Sequence, residues 1–170
     1  MTSESIKDIT ISDFMTKEVK TISENETLKE ASRLMYEENI GSVVILRKAA
    51  GESVASNNKQ NQAPIGILTE RDIAKLVGFS SKFAADTNVT EVMSKQLKTV
   101  SPNAHLKDAI ALMNQENIRR LPVVDYKGDM VGIITAKDIL KIIMKGFMEN
   151  EKGQELESEG FDLLGLLGAE

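Results

Sequence analysis

The chain has 170 residues, 41% of them hydrophobic and 28% charged, with a net charge of −5, a composition typical of globular proteins with room for one ordinary domain or two very small ones. Nucleic acid and anionic membrane surfaces demand clustered positive charge, which this balance argues against. With no Cys and one His, a disulfide scaffold, a thiol nucleophile and a thiolate zinc site are excluded, and a His-based metal site has no basis.

Residues 1–11 alternate polar and apolar side chains without the hydrophobic run of a signal peptide. No stretch approaches the roughly 20 apolar residues of a membrane span, so the expectation is a cytoplasmic protein. Residues 18–22 then read as a short strand. Thr27-Leu-Lys-Glu30 has the form of a capping box, opening a helix whose Leu28, Ala31, Leu34 and Met35 share one face. Asn39-Ile-Gly41 is a helix stop. Val43-Val-Ile-Leu46 and Ile65-Gly-Ile-Leu68 are short apolar strands, separated by a polar insertion across residues 47–64. A second helix follows from Thr69.

The same order then returns. Residues 15–46 align without gaps on residues 93–124, a shift of 78, with 14 of 32 positions identical. Residues 65–78 align on residues 131–144 at a shift of 66; the 12-residue difference is the extra length of the 47–64 loop. Copy two therefore predicts a strand at 96–100, a helix after His105, and strands at 121–124 and 131–134. Asp125-Tyr-Lys-Gly-Asp129 is a turn between those strands, and Pro122 is expected to fix the start of its strand. A second helix follows from Thr135. The organisation is an N-terminal segment 1–11, copy one at 12–78, a linker 79–90, copy two at 91–146, and an acidic tail 147–170 that turns apolar after Phe161. Two copies are too few for a solenoid and suggest a pseudo-twofold pair.

This order, with Met15-Thr-Lys17, Val19-Lys-Thr-Ile-Ser23, Ile118-Arg-Arg-Leu-Pro-Val-Val-Asp125 and Gly132-Ile-Ile-Thr-Ala-Lys-Asp138, resembles the CBS domain family. Two in tandem resemble the pair often called a Bateman module. The resemblance implies an α+β fold of two tandem CBS domains, each β-α-β-β-α, packed sheet to sheet with pseudo-twofold symmetry. It also implies ligand clefts between the copies and further pairing into a homodimer. The implied ligand is AMP, ADP, ATP or S-adenosylmethionine, acting as a regulator; no cofactor, metal or catalytic residue is implied.

Thr69 with Asp72, and Thr135 with Asp138, match the family's ribose-contacting positions. A carboxylate accepts hydrogen bonds from both ribose hydroxyls, and a Thr hydroxyl assists. Thr-x-x-Asp is also helix-capping chemistry, and the two roles are compatible. Gly66 and Gly132, inside strands, allow another group to approach the backbone. Arg119 and Arg120 match positions that often carry a phosphate-binding cation, for which guanidinium is suited. Copy one has Gly41 and Ser42 there, so copy two is expected to hold the better phosphate site. Arg71 and Lys137 read as surface residues. Thr21, Ile22, Thr99 and Val100 occupy the first strand, whose backbone lines the adenine end in CBS proteins. His105 reads as a surface residue without a role.

The leading expectation is a module that binds an adenine nucleotide and signals to a separate target protein. A ligand-free scaffold for dimerisation or protein interaction is the alternative. An enzyme is disfavoured: the chain has no phosphate-binding Gly-x-x-x-x-Gly-Lys-Ser/Thr loop and no nucleophile–His pair.

Overall fold

The computed structural model describes residues 9–47, 63–79 and 86–149, with side chains to Met144. Most of the polar insertion and the tail beyond Glu149 lie outside the described residues.

Copy one consists of β1 (Thr21–Ser23), α1 (Leu28–Glu37), β2 (Ser42–Leu46), β3 (Pro64–Thr69) and α2 (Glu70–Phe79). A short helix α3 (Val89–Val92) precedes copy two, which has α4 (Leu106–Glu116), β4 (Arg120–Val124), β5 (Met130–Thr135) and α5 (Ala136–Glu149). β1 runs parallel to β2, with Ile22 opposite Ile45, and β3 runs antiparallel to β2, with Ser42 opposite Thr69. In copy two only β4 and β5 form a sheet.

The expected strand at 96–100 is reduced to a single parallel bridge between Val100 and Val123. Two prolines explain the loss. Pro122 lies in the middle of β4, not at its start, and its carbonyl accepts the Val100 N–H at 3.1 Å. The rung before that bond would need a donor at position 122. The rung after it would need one at position 102, the counterpart of Glu24, whose N–H reaches the Leu46 carbonyl at 3.1 Å in copy one. Both positions hold proline, which has no N–H. Copy one has Val44 and Glu24 at the matching positions and keeps the full strand.

Local signals fix the helix ends. Thr27 and Glu30 form the capping box that starts α1. Asn39 and Asn117 both adopt left-handed backbone, φ 52°, just past α1 and α4. The following amides close the ends, Ile40 N–H to Met35 carbonyl and Ile118 N–H to Met113 carbonyl, each 2.9 Å. These are the six-to-one bonds of a Schellman stop. The turn between β4 and β5 uses Gly128 at φ +87°, where a side chain would be strained.

Two compact units form, and they do not follow chain order. One joins the lead-in segment, residues 9–17, to residues 99–125 and 131–149 of copy two. The other joins residues 86–98 to copy one and includes residues 126–130.

In the copy-two unit, the Ile11 N–H bonds to the Ala104 carbonyl at 3.0 Å and the Leu106 N–H to the Ile9 carbonyl at 3.0 Å. Thr16 and Ile133 exchange both backbone bonds, at 2.9 and 3.0 Å. In the copy-one unit the Val89 N–H bonds to the Glu26 carbonyl at 3.0 Å and the Leu28 N–H to the Thr87 carbonyl at 2.9 Å. Ser94 and Ile67 exchange both bonds there. Every one of these contacts repeats at the 78- or 66-residue shift, so each copy is completed by the segment that precedes the other.

Each unit has its own core. Ile9, Ile11, Val100, Leu106, Met113, Leu121, Val123, Ile134 and Ile139 build one. Ile22, Leu28, Ala31, Met35, Val43, Ile45, Leu68 and Val89 build the other. Met35 and Met113 fill matching gaps, as the repeat predicts.

Candidate functional site

The second helix of each copy starts where its last strand ends, and the junction is a capping box. In copy two, the Thr135 N–H and Oγ1–H both donate to Asp138 Oδ2, at 3.1 and 2.7 Å, and the Asp138 N–H donates back to Thr135 Oγ1 at 3.2 Å. Copy one repeats this between Thr69 and Asp72, at 2.9, 2.7 and 3.3 Å. All four side chains are half-buried. The capping role of Thr-x-x-Asp is therefore realised in both copies. The three bonds use only Oδ2, and Oδ1 takes no part in them. A pre-oriented carboxylate with one oxygen held by the cap is a rigid acceptor for a hydroxyl donor.

The helix-to-strand junction before β4 meets the same point. The Ala136 N–H, at the first turn of α5, donates to the Arg119 carbonyl at 2.9 Å; in copy one the Glu70 N–H donates to the Gly41 carbonyl at 3.3 Å. Arg119 is exposed and Arg120 half-buried with a partner of its own. The fold thus brings Arg119, Thr135 and Asp138 together within one unit, at a helix start whose amides favour a nearby anion. Copy one assembles the matching corner from Gly41, Ser42, Thr69 and Asp72, without a guanidinium. Arg71 and Lys137 are exposed on the first turns of α2 and α5.

The first-strand residues are placed differently from one another. The side chains of Ile22 and Val100 enter the two cores, each 9% exposed. Thr21, one residue along from Ile22, lies on the opposite face and is half-buried. Thr99 is exposed. Backbone and Thr hydroxyls, rather than the Ile22 and Val100 side chains, are what this strand can offer.

The strand glycines serve packing. A Cβ placed on Gly132 would lie 2.7 Å from Met15 Sδ and 3.0 Å from the Thr16 carbonyl oxygen; one on Gly66 would meet Met93 Sδ and lie 3.1 Å from the Ser94 carbonyl oxygen. The group that approaches the backbone is a methionine of the lead-in segment. Repetition of Met15 and Met93 alongside Gly132 and Gly66 carried that signal in the sequence. His105 is not a free surface residue either: it precedes α4, is half-buried, and its Nδ1 is buried without a partner among the described residues. Among those residues no group of three His, Asp or Glu could hold a metal ion. None of their helices is long and apolar enough to cross a membrane.

Two α+β copies, each carrying a Thr–Asp box at the strand-to-helix junction, define a tandem-repeat protein of one duplicated module. The CBS domain family matches residues 11–78 and 89–145, and the chain belongs to that family. It is 36% identical over 129 residues to the CBS domain-containing protein YhcV of Bacillus subtilis, covering 76% of this chain and 81% of that one. It is 36% identical over 146 residues to protein MJ1232 of Methanocaldococcus jannaschii, covering 86% of this chain but 43% of that longer protein. Among solved structures, the CBS domain pair of protein MJ0100 in complex with 5′-methylthioadenosine and S-adenosyl-L-methionine is similar at a TM-score of 0.67 and 25% identity. That likeness covers 81% of this chain and 98% of that one. The expected α+β tandem CBS fold is the fold observed.

Proposed function

We propose that this protein is a regulatory module that binds an adenosine-containing ligand, AMP, ADP, ATP or S-adenosylmethionine, and acts on a separate target rather than transforming the ligand. The observation that carries the reading is the Thr135–Asp138 box, a rigid hydroxyl acceptor at a helix start to which the backbone carbonyl of the exposed Arg119 is bonded. The adenosine compounds bound by the similar MJ0100 pair support the ligand class. Thr21, Thr99 and the backbone at Ile22 and Val100 are assigned to the base end of the ligand. Thr69 and Asp72 form the corresponding corner of copy one. Arg119 and Arg120 make copy two the better site for a phosphorylated ligand. The proposal extends to a homodimer working in the cytoplasm.

Calorimetric titration of the four ligands into the intact protein tests this, repeated with Asp138→Asn and Asp72→Asn. Asparagine keeps an acceptor for the cap while removing the charge. Loss of a charged hydrogen-bond partner costs about 1.5–3 kcal/mol, or roughly tenfold or more in affinity. Binding of one ligand, weakened more by Asp138→Asn than by Asp72→Asn, is the expected result. No binding of any of the four at millimolar concentration would overturn the sensor reading and leave a CBS-fold scaffold.

A further inference from the structure

We propose that Met15 and Met93 are a matched pair of oxidation sites, taking a hydroperoxide as co-substrate, whose sulfoxides loosen the two lead-in segments from the strands they cover. Each thioether sits over a strand glycine of its own unit, Met15 over Gly132 and Met93 over Gly66, so close that even a methyl group on the glycine would collide with it. Beside each notch the lead-in is tied to the strand by one two-way backbone bridge, Thr16 with Ile133 in one unit and Ser94 with Ile67 in the other.

Both methionines are only partly buried and pack on the edge of their cores. They are therefore open to a small oxidant. Met35 and Met113, 3% and 1% exposed, are sealed inside, and Met144, 49% exposed, touches no such notch. Among the described methionines Met130 is partly buried as well, but only Met15 and Met93 lie against a strand glycine, so theirs are the thioethers whose shape is used.

The chemistry balances with one peroxide per sulfur. A thioether lone pair attacks one peroxide oxygen, the S–O bond forms as the O–O bond breaks, and the departing oxygen takes the proton to leave as water, or as an alcohol from an alkyl hydroperoxide. Sulfur loses two electrons and the peroxide gains them. The product is larger, polar and chiral. It does not fit where the thioether already lies against the glycine and where the Thr16 or Ser94 carbonyl oxygen would repel a sulfoxide oxygen. Sulfoxide reduction restores the thioether, so the change is reversible.

The test treats the full chain with graded hydrogen peroxide, maps sulfoxides by peptide mass, and follows both melting temperature and amide hydrogen exchange. Among the described methionines, Met144 should oxidise first, the partly buried Met15, Met93 and Met130 next, and Met35 and Met113 last. A melting temperature lower by about 4 °C or more should track sulfoxide at Met15 and Met93. Exchange at the Thr16, Ile133, Ser94 and Ile67 amides should quicken with it, and methionine sulfoxide reductases should reverse both. Met15→Leu with Met93→Leu should resist the same treatment. Should that double variant fold poorly, hydrogen exchange of the oxidised wild-type chain still decides. Full sulfoxide at both sites with unchanged exchange would overturn the proposal. So would oxidation of Met15 and Met93 only together with Met35 and Met113.

Discussion

Asn39 and Asn117, 78 residues apart, hold the same left-handed backbone, each at φ 52°. Each stands one residue before the amide that closes its helix, and each turns the chain into a strand. Asparagine tolerates this region better than other residues with a side chain, and glycine better still. Asn117→Gly is therefore expected to leave stability unchanged or raise it slightly. Asn117→Val should lower it by about 1–2 kcal/mol. Urea unfolding of both variants checks this; equal effects would contradict the backbone argument.

Gly132→Ala and Gly128→Ala separate packing from conformation. At Gly132 the added methyl meets Met15 and the Thr16 carbonyl, whereas at Gly128 it meets nothing within 4 Å but falls at positive φ. Overpacking costs typically 1–3 kcal/mol. Combining Gly132→Ala with Met15→Ala should recover part of the Gly132→Ala loss, and combining Gly128→Ala with Met15→Ala should recover none. A double-mutant cycle on melting temperature reads the coupling.

Matched isoleucines in the two second helices are not equivalent. Ile139 in α5 is 1% exposed, while Ile73, its counterpart in α2, is only half-buried, and α2 contains no fully buried residue. Ile139→Ala is expected to cost about 2–5 kcal/mol. Ile73→Ala should cost clearly less, as judged by the midpoint of denaturant unfolding.

How much of this was legible in the sequence depended on range. The Thr27–Glu30 box, the Asn39 and Asn117 stops and the Gly128 turn are decided by residues three or four apart, and periodicity with turn chemistry finds them. The Thr–Asp corners were visible for the same reason. Exchange of the lead-ins was not, because it joins residue 11 to residue 104 and residue 89 to residue 26. The 78-residue shift does continue backward through Ile11/Val89, Ser12/Thr90 and Asp13/Glu91, pairs alike in chemistry that a count of identities passes over. The lost first strand of copy two was hidden in Pro102 and Pro122, whose missing donors matter only once the strand pairing is considered. The arrival of Arg119 at the start of α5 likewise needs the β-pairing, not the local sequence.

Acid should weaken the start of α1. The Glu30 carboxylate accepts bonds from the Thr27 hydroxyl and the Thr27 N–H. The hydroxyl bond is the larger influence, and together they hold its pKa below the ordinary glutamate value. A group whose folded pKa is depressed contributes fully above its unfolded pKa, and that contribution fades as pH falls through the folded value. The stability of Glu30→Gln should thus converge on that of wild type at low pH and fall behind it near neutrality. Carboxylate titration by NMR gives the direct reading: a Glu30 midpoint at or above that of a free glutamate would contradict the bond pattern.

The exchange of lead-ins carries a consequence for how this molecule can be divided. Cleavage within residues 80–85 would produce two fragments, each holding a segment that fits the other and lacking the one that fits itself. Copy one would lose Val89 from its core, and copy two would lose Ile9 and Ile11. Neither piece would be a self-sufficient fold, yet the two should complement each other when mixed. The same logic acts on the duplicated chain as a ratchet: having handed its opening segment to its twin, neither copy can be deleted without stranding the one that remains.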